Sequence, residues 1–367
     1  MKIDIPKADL LRALGAVAGV VERRQTLPIL ANVLIEGADD RLRLRATDLE
    51  LAVATVVGGH VGQDGAITLP ARKLTDFCRS LRDDATVKIT TEAERCVVSS
   101  GRTRFTLGAL PAGDFPSLAT EDGMRTVSLP ATDLKMLLDK TSFAMAQQDV
   151  RYYLNGVLLE LSGSEITAVA TDGHRLARYV VGLEAAVSED VQQIIIPAKT
   201  VAEIRRMLTD EEELIEFRWG ERTLVVAAGV TVLTSKLVEG KYPEYRRVIP
   251  RGLEREVIVD RESLRLALQR AAILSNEKYK GVKVTFENGT VRLQAQNPEH
   301  EVSEDELAAE YDGEAVTVGF NVAYLMDVLQ SVDSPRVAVN LQDADSSSVW
   351  RGVECEQETF VVMPMRL

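Results

Sequence analysis

The stretch Ala170–Tyr179, "ATDGHRLARY", places Asp172, His174 and Arg175 within four residues, beside Gly173. An acid, an imidazole and a guanidinium so close together are the residue types of acid–base or nucleophilic chemistry. The chain has only three histidines, which singles out His174. A nucleophilic site needs a nucleophile, a base and an orienting acid within hydrogen-bond reach. Within "TDGHRL" the only hydroxyl is that of Thr171, and no Gly-x-Ser-x-Gly segment occurs anywhere in the chain. Asp172-Gly173 reads instead as a turn at the end of a strand. A hydrolase using Asp172 and His174 is the rival reading, and loss of turnover in an Asp172→Asn variant would support it.

The turn must be held by its surroundings, and those repeat. "IDIPKADLL" opens the chain, followed by "ITLPARKL" at Ile67, "VSLPATDL" at Val127 and "IIIPAKTV" at Ile194. Weaker copies are "VIVDRESL" at Val257 and "VTVGFNVAYL" at Val316. Each alternates apolar residues like a strand and then turns into a helix, with proline suited to the first helical turn. The helix starts fall at Pro6, Pro70, Pro130, Pro197, Asp260 and Gly319, spaced by 64, 60, 67, 63 and 59 residues. Period-2 segments such as "RLRLRATDLELAVATVV" follow the helices as half-buried antiparallel strands. Asn288-Gly289 in "TFENGTVRL" marks a hairpin.

The units also pair. Ala46-Thr47-Asp48 matches Ala170-Thr171-Asp172 at a shift of 124, with Leu49 opposite Gly173 and Glu50 opposite His174. "DFPSL" (114–118) and "KYPEY" (241–245) each close a pair, and "RLQAQNPEHE" is a degraded third version of the turn. The turn is therefore expected to be a structural element specialised in one domain rather than a duplicated site. The fold class is α+β: three tandem similar domains, near 1–124, 125–252 and 253–367, each with two helices against antiparallel sheets. Solenoid repeats run about 20–50 residues; units near 60 with mixed helix and sheet fit closed two-layer domains better.

Composition narrows the function. At 367 residues with 46% hydrophobic content the chain is globular. No stretch approaches the roughly 18 apolar residues of a membrane span, and "MKIDIPKADL" lacks a signal peptide's apolar run. The three cysteines are far apart and show neither metal-ligand nor disulfide spacing. A reduced, cytoplasmic protein without a metal is expected. The net charge of −13 argues against an ordinary basic nucleic-acid binder. The expected helices at 8–24, 71–82, 132–147, 198–208, 261–274 and 321–332, however, carry +1, +3, 0, +2, +2 and −1. That net +7 leaves −20 for everything else. A basic helical face attracts phosphate without reading sequence, while the acidic remainder discourages indiscriminate binding. A peptide-binding scaffold that never touches DNA is the third reading, and the helical charge speaks against it.

The segments "QTLPILANVLIE", "QQDVRYYLNGVLLE", "ATDGHRLA", "YPEYRRVIP", "RAAILSNEKYKGV" and "VVMPMRL" together resemble the bacterial DNA polymerase III β-subunit, or sliding-clamp, family, over the full length and in family order. The resemblance implies a head-to-tail homodimer closed into a six-domain ring around duplex DNA, with helices lining the hole. It implies no enzymatic activity and no cofactor. The implied partners are double-stranded DNA, a second copy of the chain, the DNA polymerase III alpha subunit, the clamp-loader delta subunit, and other polymerases and repair proteins that carry clamp-binding peptides; a membrane is not among them.

By the same resemblance a partner-peptide pocket between the second and third domains uses Leu154, Thr171, Gly173, His174, Arg175 and Leu176. Pro243, Arg247, Val248, Asn321 and Tyr324 join it, with the tail residues Val361, Val362, Met363, Pro364, Met365, Arg366 and Leu367. Methionines adapt to varied ligands. Asp345 stands where the family often has an apolar pocket residue. Arg24 and Gln148 match family positions near DNA, while Tyr152 and Tyr153 are expected to pack in the core. Ile273 and Leu274 match one side of the dimer contact, and Phe105 and Leu107 the other.

Overall fold

The computed structural model describes residues 1–21, 27–92, 95–184, 188–208, 214–276 and 278–366. Arg24 and Leu367 lie outside them. Among the described residues the α-helices are α1 (Lys7–Ala18), α2 (Ala71–Ser80), α3 (Ala131–Asp139), α4 (Ala198–Met207), α5 (Arg261–Ile273) and α6 (Val322–Ser331).

The four prolines sit one residue earlier than a first-turn position. Each ends the preceding strand, and the helix begins on the next residue. There its missing N–H costs neither element a bond and its fixed φ sets the bend. Asp260 caps α5 through a 2.8 Å bond from the Ser263 amide. The last start is Asn321 rather than Gly319: its side-chain oxygen accepts from the Ala323 amide at 2.9 Å, as Asn does at a helix start.

Two helices are shorter than their sequence pattern. α1 stops at Ala18, not Arg24, and its last carbonyls, Gly15 and Ala16, accept from the Arg206 guanidinium at 2.7 and 2.8 Å. A cation there satisfies orphan carbonyls and the helix dipole together. The Glu203 carboxylate fills the space a side chain at Gly19 would need. α3 stops at Asp139, not Gln147, because Lys140 turns into a buried ion pair and Ser142–Ala144 tightens into a 3-10 turn. The observed helices carry +1, +2, −1, +2, +2 and −1, a net +5 against −18 for the rest. The asymmetry survives the shorter boundaries.

The described chain forms two compact units, Met1–Lys135 with Ala202–Leu237, and Met136–Val201 with Val238–Leu367. The halves of the middle repeat pair thus fall in different units, a division that the sequence repeat does not suggest. The first unit has a five-stranded and an eight-stranded antiparallel sheet. In the larger, strands Arg125–Pro130, Leu214–Trp219, Thr223–Ala228 and Thr231–Lys236 run on directly into Leu51–Gly58, Arg41–Thr47, Asn32–Ala38 and Gly65–Pro70. The join is Leu233 opposite Val53 and Thr234 opposite Ala52. α1 packs on one face, where Leu42, Leu44 and Val53 are buried.

The second unit holds a twelve-stranded sheet. Its join is between Arg175–Gly182 and Glu358–Val362, with Leu176 opposite Val361. Backbone pairing therefore carries the chain across each boundary between repeat pairs, and no strand edge is left open at either join.

Candidate functional site

The Thr171–Arg175 turn is built by its own side chains. Thr171 Oγ1 donates to the Arg175 carbonyl at 2.6 Å and accepts from the Gly173 amide at 3.1 Å. Asp172 Oδ1 accepts from the amides of His174 and Arg175 at 2.9 and 3.0 Å, and Oδ2 from Arg175 Nε at 3.1 Å. This is the local side-chain-to-backbone bonding that favours Asp and Thr in turns. Gly173, at φ 90°, supplies the left-handed residue. The Asp172 carboxylate is spent on the turn and on Arg175, so it does not orient His174 as a catalytic acid would.

The first repeat pair has the same turn. Thr47 Oγ1 donates to the Leu51 carbonyl at 2.9 Å and accepts from the Leu49 amide at 3.1 Å, and Asp48 Oδ1 takes the amides of Glu50 and Leu51 at 2.9 and 2.7 Å. Leu49 holds φ 79° without being glycine. This corrects the expectation of an element specialised in one domain. The backbone scaffold is duplicated; what differs is the residues mounted on it.

In the second unit those residues face a mixed surface. Leu154, Leu176 and Val361 are buried in one cluster with Leu158, Val169, Tyr242 and Tyr245. They form its floor, and Val362 is wholly buried as well. His174 is exposed above them, with its ring stacked 6.4 Å from that of Tyr324. Arg175 is largely buried. Its guanidinium lies 4.5 Å from the Tyr324 ring centre, donates 2.7 Å to the Phe143 carbonyl and pairs with Asp327. Burial raises the Tyr324 phenol above its ordinary pKa, Asp172 adds to the shift, and Arg175 opposes it. Tyr324 thus stays a neutral hydroxyl beside His174 and Arg175.

The tail follows the same surface. Beyond the strand Glu358–Val362, the Met363 amide donates to the His174 carbonyl at 3.0 Å and the Met365 amide to the Gly319 carbonyl at 2.8 Å. The second bond covers the edge strand Val316–Asn321. Met363, Pro364 and Met365 remain half-buried and Arg366 exposed. Met365 and Arg366 also border a cavity of about 400 Å³ with Asn276 and Tyr279. Asn321 caps α6, which fixes where Tyr324 points.

The "KYPEYRRV" segment is anchored from below. Glu160, nearly buried in the sheet, accepts from the Tyr245 hydroxyl at 3.2 Å and from Gln193 at 2.7 Å, and pairs with Arg246. Burial would raise the Glu160 carboxyl, but the bonds from Arg246 and Gln193 outweigh it and hold the pKa below the usual value. Tyr245, desolvated and beside Glu160, is pushed up to about 12. With Tyr242 and Tyr245 buried, Pro243, Arg247 and Val248 are turned outward.

The roles of Arg151, Phe143, Asp327 and Lys140 were not foreseen in sequence. Arg151 reaches the Asp172 carbonyl at 3.3 Å and is itself bound to Asp149 at 2.8 Å. Phe143 and Asp327 receive Arg175. Lys140, almost fully buried, pairs with Asp333 at 2.8 Å and with buried Glu358 at 3.2 Å. A lysine followed by a broken helix pattern was the available signal for the last of these.

The other expected positions are spread over the fold. Gln148 is exposed in a turn at φ 53°. Tyr152 is 56% exposed, which corrects its expected core role; Tyr153 packs against the cluster. Ile273 is 76% exposed at the end of α5, with Leu274 half-buried beside it. Phe105 is 44% exposed and edge-on to Phe77, while Leu107 is buried within its own unit. Asp345 is exposed in a loop whose amides are held by Asp343.

Three family models match the chain: the N-terminal domain of the DNA polymerase III beta subunit over 1–119, its central domain over 128–244 and its C-terminal domain over 246–366. The chain is 46% identical to the beta sliding clamp of Pseudomonas aeruginosa and 41% identical to that of Escherichia coli K12, each alignment covering all of both chains. The crystal structure of the Pseudomonas aeruginosa sliding clamp bound to griselimycin matches with a TM-score of 0.97 at 45% identity. That of Caulobacter crescentus pol III beta matches at 0.93 and 36%; both matches cover each chain completely.

Proposed function

The chain belongs to the DNA polymerase III beta-subunit family, and from that premise we propose that it is a sliding clamp: a homodimeric ring that encircles duplex DNA and tethers the replicative polymerase. On this reading it is a cytoplasmic binding scaffold rather than an enzyme, with three domains near 1–124, 125–252 and 253–367. Among the described residues no helix is long and apolar enough to cross a membrane.

The observation that carries the ring is a pair of open strand edges. Thr103–Gly108 ends its sheet with its outer side unpaired. Val302–Glu310 pairs with Arg255–Asp260 only through Glu310 and Ala309, which leaves the edge of its first residues open. Open edges of this kind are a liability unless covered. The first bears Arg104, with Arg102 in the turn before it, and the second Glu304, Asp305 and Glu306. Opposite charge on two free edges supports head-to-tail pairing between copies, with Phe105 meeting Ile273 and Leu274. Leu107 faces inward, so it stiffens the edge strand from behind.

A ring holds DNA by topology, so the contact itself can be weak. The described helices supply a net +5, Gln148 and Arg24 are the individual candidates that the family resemblance suggests, and the acidic remainder repels stray nucleic acid. A tether raises the local concentration of the polymerase without a tight DNA contact. Partners such as the alpha and delta subunits dock a partly apolar peptide over Leu154, Leu176 and Val361. His174, Arg175, Arg247 and Asn321 supply the few polar groups that fix register. Thr171 and Gly173 shape the turn, and Pro243, Val248, Tyr324 and Val362 to Leu367 line the rest.

Sedimentation should give twice 40.3 kDa at micromolar concentration. Rings loaded on closed circular DNA should survive salt that abolishes direct binding to linear DNA. A stable monomer, or equal salt sensitivity on both DNAs, contradicts the proposal.

A further inference from the structure

The duplicated turn comes with a duplicated cleft. In the first unit, on the sheet face opposite α1, a cleft of about 250 Å³ lies between the strands around the Thr234–Ala52 join and the crossing segment 115–120. Its position repeats that of the peptide groove proposed above, on whose placement this comparison rests. Thr47 corresponds to Thr171 through the identical hydrogen-bond pattern. Ala52 opposite Thr234 corresponds to Leu176 opposite Val361 in the strand joins. Pro116 of "DFPSL" corresponds to Pro243 of "KYPEY", and Thr120, four residues on, to Arg247. Lys236, whose amide donates 2.8 Å to the Glu50 carbonyl, stands where Met363 bonds His174.

The chemistry of the two places differs. Leucine and valine on the floor become Ala52 and Thr234, and the positions of His174 and Met363 are closed by a Glu50–Lys236 ion pair at 2.9 Å. In exchange the cleft gains Arg43, Arg45 and Arg218. Arg45 is paired with Glu36 through Nη2 at 3.2 Å, its Nε being buried without a hydrogen-bond partner, and Arg218 is paired with Glu216 through Nε at 2.8 Å. Among the described residues lining the cleft there is no carboxylate, although the chain has 56 acidic residues against 43 basic ones.

The walls are preformed. Leu110 and Thr68 exchange backbone bonds at one end of the crossing segment. At the other, Glu121 accepts from the amides of Glu221 and Arg222 and from the Thr223 hydroxyl, all at 2.8–2.9 Å. A fixed cleft loses little entropy when it is filled.

We propose that this cleft is a second, anion-selective counterpart of the peptide groove that binds an extended acidic peptide segment of a partner protein. Arginine suits carboxylates because its planar fork can donate two parallel bonds. The narrow apolar floor and the Phe115–Pro116 wall favour a peptide over a nucleic-acid backbone.

The test uses the full chain and two labelled peptides, a nonamer alternating aspartate and leucine and a short leucine–phenylalanine peptide, read by fluorescence anisotropy. The acidic peptide should bind saturably, and Arg43→Glu with Arg218→Glu should weaken it at least tenfold while leaving the apolar peptide unchanged. Met363→Ala should do the reverse. Should the double charge reversal disturb the circular dichroism spectrum, Arg43→Gln alone, at an exposed position, should still weaken the acidic peptide several-fold. Absence of saturable binding below millimolar peptide overturns the proposal. So does loss of acidic-peptide binding in Met363→Ala but not in the arginine variants, or displacement by a single-stranded oligonucleotide at concentrations where unlabelled peptide does not compete. Failure of the apolar peptide alone counts against the groove in the second unit and leaves the arginine result to stand by itself.

Discussion

The backbone amide of Met363 donates to the carbonyl of His174 at 3.0 Å, tying the chain's last residues to a turn 189 positions earlier. That bond lies just past the last strand, which ends at Val362. The described tail is thus an extension laid over the His174 turn and the Val316–Asn321 strand rather than a closing strand of the core.

Deleting residues 363–367 should therefore remove peptide binding and leave the fold intact. Two backbone bonds are lost, each worth about 1 kcal/mol, while the Glu358–Val362 strand keeps both its neighbours. At about 25 cal/mol per Å², losing ~100 Å² of apolar contact costs about 2.5 kcal/mol, tens-fold in peptide affinity. Anisotropy with a labelled partner peptide measures the loss, and sedimentation should show the dimer unchanged. Unaltered peptide affinity would mean the groove lies elsewhere.

Replacing Ile273 and Leu274 together by alanine should weaken dimerisation by a few kcal/mol. Ile273 is 76% exposed in the single chain, so its truncation opens no cavity there. Sedimentation should reveal monomers at micromolar concentration with an unchanged far-UV spectrum. A dimer as tight as the parent would remove these residues from the interface.

Gly173→Ala should destabilise the turn by about 1 kcal/mol, because φ 90° strains any L residue. The added methyl would also lie 3.2 Å from Arg151 Nη1 and displace it. Leu49, at φ 79° in the equivalent turn, indicates that the cost is tolerable rather than fatal. Urea unfolding checks the size, and a gain in stability would refute the strain argument.

Glu160 sets a pH dependence. Its folded pKa lies below the usual value, so its contribution is fully present above the unfolded pKa of about 4.3 and is lost as pH falls through the folded value. Glu160→Gln should cost about 2 kcal/mol at neutral pH, towards the middle of the range for charge-assisted bonds because Arg246 is half exposed. Melting curves from pH 7 down to 3 should converge for parent and variant. A constant gap would show that the carboxylate charge is not what matters.

Much of this protein is written locally and could be read so. The strand–proline–helix units need only alternation and a fixed φ, and the described helices begin within three residues of their sequence marks. The Thr-Asp turns were legible as turns because their hydrogen bonds close within four residues. Helix ends were not: α1 and α3 stop where Arg206 and the Lys140–Glu358 pair intervene, and those partners come from more than 180 residues away.

The turn shows the division most plainly. Sequence determined that Thr171, Asp172 and Gly173 make a turn, since each bond in it is between near neighbours. Only tertiary structure decided that Leu176 lies opposite Val361 and that Ala52 lies opposite Thr234. Strand register between distant segments is chosen by which backbone edges meet and which faces are buried. No short window of sequence contains both partners, so the proposed groove, its arginine-lined counterpart and the packing of Arg175 against Phe143, Tyr324 and Asp327 need the sheets to have joined.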